Sequence, residues 1–184
     1  MGDVRLPEPV LAVAAVFSRY DEAFAWARQR CSAVWGEIVV EREPAEFRET
    51  PYYERTMGPG IRKCLWAFER LIDPARLVDY KLQANDWEEE YRRAANGPEP
   101  RPLNIDPGYL TEAKLVLGTT KDRDHRLYLD RGIYAENTLF FQRGQWRARE
   151  WTYPDYRRAD YHEFFSRCRD YLRARYGRER SLGM

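Results

Sequence analysis

The chain has 184 residues, and its 31 lysines and arginines against 30 aspartates and glutamates leave a formal net charge of +1. That length suits one domain with a buried core, and the charge balance excludes a basic nucleic-acid coat protein and an acidic tail protein. An aromatic content of 15 % is too high for a disordered chain. The three cysteines, Cys31, Cys64 and Cys168, are odd in number, far apart and form no C-x-x-C pair. This argues against a disulfide framework or a zinc knuckle and for a reduced, cytoplasmic protein. Met1 to Leu6 shows no basic segment leading into a long apolar core, and the apolar run Val10–Phe17 is too short to span a bilayer, so no membrane association is expected.

Val10–Phe17 is apolar at every position but is strand-sized, which predicts an interior strand covered on both faces. Ala23, Phe24, Ala27, Cys31, Val34 and Trp35 then recur at helical spacing over Glu22–Trp35, and Gly36 stands where a helix ends. Glu37–Glu41 reads as a second strand, so strand, helix and strand suggest a βαβ unit with a parallel pair. Residues 44–60 form an irregular loop containing Pro44, Pro51, Pro59 and the pair Tyr52-Tyr53. Ile61, Leu65, Phe68 and Ile72 share one face of a helix expected to start near Gly60, Pro74 opens the next segment, and Asn85–Arg93 is polar and helical. Residues 96–102, with three prolines, read as an internal linker rather than a domain boundary. Strands are expected over Lys114–Thr120, Arg126–Leu129, Ile133–Phe141 and Gln145–Trp151, joined at Asp130-Arg131-Gly132 and Arg143-Gly144. An amphipathic helix from Arg158 to Tyr176, stopped by Gly177, closes the chain.

Alternation along the hairpin at Asp130–Gly132 sets Tyr128 opposite Tyr134 and Arg126 opposite Glu136. One face then carries Leu127, Leu129, Ile133, Ala135, Asn137 and Leu139 toward the helices. The other carries Arg126, Tyr128, Tyr134, Glu136 and Thr138, with Thr120 and Lys114 joining it from the preceding strand if the registers match. Beside that polar face lies a tip rich in Lys, Arg, His and hydroxyls, Thr119 to Arg126. Such a group can cradle an anion, above all a phosphate, while Tyr128 and Tyr134 offer a stacking platform for a base. The same face also suits an ordinary solvated sheet surface.

No G-x-x-x-x-G-K-[ST], G-x-G-x-x-G or G-x-S-x-G motif is present, and no spacing of His, Cys, Asp or Glu is diagnostic of a metal. Of the two histidines, His125 lies in the polar tip, whereas His162 sits beside the apolar stripe of the last helix. That helix carries eight arginines from Arg157 to Arg180, a composition suited either to an RNA-contacting face or to a solvated helix surface with local ion pairs.

Asn104-Ile-Asp-Pro-Gly-Tyr-Leu110, Lys114-Leu-Val-Leu-Gly-Thr-Thr-Lys121, His125-Arg-Leu-Tyr-Leu129, Gly132-Ile-Tyr-Ala-Glu136, Thr138-Leu139 and Trp151-Thr-Tyr-Pro-Asp-Tyr156 together resemble an uncharacterised bacterial family, a domain of unknown function. Phe47, Thr50, Tyr52-Tyr53, Met57-Gly58, Lys81, Asn85 and Glu88 extend the resemblance over nearly the whole chain. Members often carry an acid where this chain has Thr56 and an alanine where it has Gly118. The resemblance implies a stand-alone bacterial cytosolic protein and no defined activity. Some members carry a GTP-binding label, which the missing phosphate loop does not support. The resemblance draws attention to Thr152, Tyr153 and Asp155 as companions of the hairpin face.

These observations predict a single α+β domain over residues 1–184. Its sheet is expected to be mixed, with an N-terminal βαβ element, a C-terminal antiparallel meander, helices on one face and an amphipathic C-terminal helix. Function is expected at the polar sheet face, as binding of, or action on, a small phosphorylated or nucleotide-like anion. Thr120, Lys121, Arg126, Tyr128, Tyr134, Thr138, Tyr153 and Asp155 would bind it. His125 would serve as acid or base, with Glu136 orienting Arg126 or helping to hold a metal. The alternative is a non-catalytic protein that contacts RNA or a protein partner through the same face and the arginine helix, with nucleic acid the less favoured partner. No cofactor or oligomeric state follows from the sequence.

Overall fold

In the computed structural model, which describes residues 2–50, 53–95 and 97–181, an eight-stranded sheet is covered by helices on both faces. Tyr52, and Asn96 at the head of the expected linker, lie outside the described residues. The elements are β1 (Val10–Ser18), α1 (Asp21–Trp35), β2 (Ile38–Glu46), α2 (Glu54–Met57), β3 (Arg62–Ile72), α3 (Leu77–Ala94), β4 (Asn104–Leu110), β5 (Lys114–Thr119), β6 (Leu127–Asp130), β7 (Ile133–Gln142), β8 (Gln145–Ala148) and α4 (Ala159–Ser181). The strand order is β2-β3-β1-β4-β5-β7-β6, with β8 paired to the far end of β7.

The central position of β1 follows from its residues. Leu11, Val13, Ala15 and Phe17 face a core closed by α4, while Val10, Ala12, Ala14 and Val16 face a second core closed by α1 and α3. A strand with no polar face must be covered twice, so the helices lie on both sides of the sheet rather than on one. In the second core Trp35 of α1 stacks on Tyr80 of α3 at 4.6 Å and meets Phe68 of β3 edge-on at 5.4 Å, locking both helices to the sheet.

The α+β class stands, but every ladder is antiparallel. β1 and β2 run in the same direction, as a βαβ unit requires, yet β3 is inserted between them, so no parallel pair forms. The helix expected from Ile61 to Ile72 is β3. Its segment Lys63–Phe68 is buried throughout, and the apolar run Cys64–Phe68 satisfies helical spacing by default. β2 extends through Pro44 to Glu46, into the expected loop. β4 occupies a segment whose Pro107 and Gly108 suggest a break. α4 runs through Gly177 to Ser181.

The meander matches its turns. Arg131-Gly132 and Arg143-Gly144 have φ of 47° and 78°, and 52° and 79°, the left-handed pairs of two-residue hairpin turns. The first loop is thus two residues, not three, and the pairing Tyr128↔Tyr134 holds because Leu129 is bulged. Leu127 and Leu129 do not reach a helix. β6 is the sheet edge, and they stay 74 % and 40 % exposed. A second bulge at Thr138 lets both Glu136 and Leu139 face the α4 side, opposite Leu117 and Leu115. Lys114 pairs with Phe140, far from the polar face, and Thr119 takes the place opposite Tyr134.

β4 and β5 pair only over Gly108↔Leu117, Tyr109↔Val116 and Leu110↔Leu115. Continued, that register would set Pro107 opposite Gly118, and proline has no N–H to offer a ladder. The strands part there. Gly108 is the last point of close approach, where a Cβ would stand 2.5 Å from the Val116 carbonyl oxygen. Gly108→Ala is therefore expected to destabilise the protein by about 1–3 kcal/mol in urea unfolding. An unchanged midpoint would contradict the close β4–β5 approach.

Candidate functional site

The parting of β4 from β5 opens a cleft. Ile105 of β4 has lost its strand neighbour on that side, and α3 supplies the partners instead. The Glu88 carboxylate accepts from the Ile105 N–H at 2.8 Å, and the Lys81 ammonium donates to the Ile105 carbonyl at 3.1 Å. Buried backbone groups must be paired, and here two charged side chains pair them. Lys81 also donates to Asp106 Oδ1 at 3.0 Å, and Asn104 Nδ2 donates to Asp106 Oδ2 at 2.8 Å. Arg101 bridges Glu88, at 2.9 Å, and Asn104.

The opposite wall comes from the hairpin. Arg126 donates through Nε to Glu136 Oε2 at 2.9 Å, through Nη1 to the Lys121 carbonyl at 2.9 Å, and through Nη2 to the Tyr153 hydroxyl at 3.4 Å. The expected Arg126–Glu136 pair is present but is no surface bridge, since its side chains are only 5 % and 3 % exposed. Thr138, fully buried, donates to Glu136 Oε1 at 3.3 Å.

Of the residues expected to act, Thr120, Lys121, Arg126, Glu136 and Tyr153 line this cavity of about 120 Å³, together with Lys81, Asn85, Arg101 and Asp106. His125 does not line it. Its Nε2 lies 3.3 Å from Glu136, its Nδ1 3.0 Å from Asp124, and its ring stacks on Trp151 at 5.1 Å. His125 therefore reaches the cleft only through Glu136. Tyr128 and Tyr134 meet edge-on at 5.4 Å outside the cleft, with Tyr128 60 % exposed, so they form no platform in it. As for Glu136 as a metal ligand, no group of three or more His, Cys, Asp or Glu suited to a metal occurs among the described residues.

Asp155 lies deeper, in an adjoining cavity of about 50 Å³ that shares Tyr53, Asp106, Leu117 and Tyr153 with the first. It forms a sealed ion pair with Lys63, both side chains being 3 % exposed or less. Around the Lys63 ammonium stand Tyr156 at 4.2 Å, Phe17 at 4.5 Å, Tyr161 at 5.3 Å and Phe47 at 5.7 Å, a cation–π cage. Burial pushes the Lys63 pKa below its ordinary value against the pull of Asp155. Burial pushes Glu88 up, against Lys81 and Arg101. For Asp106 burial acts upward too, but Lys81, Arg101 and the Asn104 hydrogen bond together outweigh it and hold the carboxyl below its ordinary value.

Local pattern does not mark Lys63, Lys81, Arg101 or Asn104 as site residues, and offers Asp106 only as one of several carboxylates without diagnostic spacing. The signal was charge at core positions, with Lys81 and Glu88 on the buried side of a helix and Lys63 inside an apolar run. The resemblance marked Lys81, Asn85 and Glu88 without giving them a place.

Residues 8–171 match a family described as a domain of unknown function (DUF4416). The chain belongs to that family. No curated protein and no solved structure matches it. Among the described residues no helix is long and apolar enough to cross a membrane.

Two outcomes test the site's electrostatics. Lys63→Met should cost about 3–5 kcal/mol by stranding a buried carboxylate, and Lys63→Met with Asp155→Leu should recover most of it. Equal losses in chemical denaturation would refute that origin. Because the folded Asp106 pKa lies below its unfolded value of about 3.9, its stabilisation is complete above that pH and is lost as pH falls through the folded value. Asp106→Asn should therefore flatten the acid limb of the stability–pH curve, and an unchanged limb would contradict the assignment.

Proposed function

We propose that the cleft binds a small phosphorylated ligand. The observation that carries this is the charge of its lining. Lys81, Arg101, Lys121 and Arg126 line one concavity with the carboxylates Asp106 and Glu136, and with Glu88 behind Arg101 counted, one positive charge remains in excess there. Each of three cations is fixed by a carboxylate: Lys81 by Asp106, Arg101 by Glu88 and Arg126 by Glu136. Arg126 also bonds the carbonyl of Lys121 and so holds the tip that brings Lys121 to the rim. Fixed cations and hydroxyl groups at Thr119 and Thr120 suit a phosphate, which accepts several charge-assisted hydrogen bonds at once. If a proton is transferred in this cleft, the chain Asp124–His125–Glu136 is the route the geometry favours. A cytoplasmic setting accords with the three free, buried cysteines.

The arginine helix has less to offer a partner. Arg157 and Arg175 donate to backbone carbonyls, Arg158 pairs with Glu49 and Asp160, and Arg169 and Arg173 share Glu112. Five of the eight arginines from Arg157 to Arg180 thus serve the fold.

Arg126→Ala is a poor test, because it strands the buried Glu136 carboxylate at a cost of about 3–5 kcal/mol. Lys121, exposed at the rim, is the better probe. Ribose 5-phosphate or pyrophosphate at about a hundred times its dissociation constant should raise Tm by roughly 5 °C or more, and Lys121→Ala should weaken binding in a protein that still unfolds cooperatively. No shift with any phosphorylated probe would sink the proposal.

A further inference from the structure

The two adjoining cavities differ in chemistry. The first is cationic. The second is walled by the rings of Phe17, Phe47, Tyr53, Tyr153 and Tyr156, and the positive charge beside it, Lys63, is neutralised by Asp155. Tyr53 and Tyr153 line both, and Tyr153 joins them chemically, its hydroxyl touching Arg126 at 3.4 Å in the cationic half while its ring borders the aromatic half. Asp106 also belongs to both. It accepts one hydrogen bond on each oxygen, from Lys81 and Asn104, whereas a carboxylate has about four lone-pair sites, so acceptor capacity remains at the junction. A ligand matching the whole would carry an anion at one end, a flat ring at the other and hydroxyl donors, as on a ribose, between.

We propose that the two cavities are halves of one site for a nucleoside 5′-monophosphate, with the phosphate among the cations and the base against Tyr53 and Tyr153. This rests on the phosphate site proposed above and adds the identity of the group attached to the phosphate. Base–aromatic stacking strengthens binding severalfold to a hundredfold in known sites, so the ring half should be measurable separately from the phosphate half.

Calorimetric titration of the intact protein with inorganic phosphate, ribose 5-phosphate and the four common nucleoside 5′-monophosphates tests this. At least one nucleotide should bind roughly tenfold or more tighter than ribose 5-phosphate. Tyr53→Leu should abolish that preference while ribose 5-phosphate still binds. Tyr153→Leu, at a side chain already 44 % exposed, gives the same readout should Tyr53→Leu fail to fold, and the ratio of the two affinities within each variant cancels any change in the phosphate half. If ribose 5-phosphate binds as tightly as every nucleotide, the bipartite site is wrong while the phosphate site stands. A preference that survives in the foldable tyrosine variants overturns the assignment of the rings. Binding of no phosphorylated probe overturns both proposals.

Discussion

The ladder between β4 and β5 ends at Pro107, and the site depends on that ending. A sheet continued to its full length would have covered Asn104–Asp106 with Thr119–Lys121 and left no concavity. Proline withholds one N–H, the strands diverge, and the orphaned polar groups of Ile105 turn to α3. A helix carrying an acid and a base at matching heights can satisfy the donor and the acceptor of one residue together. Lys81 and Glu88, seven residues or two turns apart on α3, are placed to do so. Their charges then call for Asp106 and Arg101, so the polar wall of the cleft is built outward from one missing hydrogen bond.

The other side of the cleft faces a comparable constraint. α4 covers only part of the face that Leu11, Val13, Ala15 and Phe17 present, and the sheet continues beyond it. At the edge of that core the interior holds Lys63 and Asp155, and beyond them Asp106 and Glu136, in place of further aliphatics. A buried pair such as Lys63–Asp155 adds little net stability over a well-packed apolar pair. Its value here lies in fixing position. The ammonium demands both the carboxylate at the start of the turn Pro154–Arg157 and the four surrounding rings, tying that turn to β3. Tyr153, one residue before the turn, is thereby set at the cleft.

What was legible in the sequence was local. Arg126 and Glu136 are ten residues apart across a tight hairpin, and counting from the turn places them together even though a bulge changed the loop length by one. The double-faced burial of β1 was legible because no other element is apolar at every position for so long. β3 was not, because its apolar run Cys64–Phe68 fits helical and extended spacing alike, and only its neighbours β1 and β2 decide. β4 was hidden by Pro107 and Gly108, residues that commonly punctuate elements but here shape one. Lys81, Arg101 and Asp106 could not be joined from pattern alone, since their association depends on how α3 crosses the open end of the sheet.

The arrangement of charge also bears on how such a cleft can bind. Cations that wait for a ligand unpaired in a cavity repel one another and lose hydration, whereas cations completely satisfied by carboxylates have nothing to give. This cleft lies between those limits. The Lys81 ammonium has three N–H donors and uses two, on Ile105 and Asp106. Arg126 has five and is anchored through all three of its nitrogens, on Glu136, Lys121 and Tyr153. A ligand oxygen arriving here meets donors whose side chains are already ordered, so little rotamer entropy remains to be lost on binding. The carboxylates that order them also limit how much negative charge the site tolerates. With Glu88 counted beside the lining carboxylates, a single positive charge remains in excess, so within the proposed phosphate site a monophosphate would be a better electrostatic match than a longer, more highly charged polyphosphate chain.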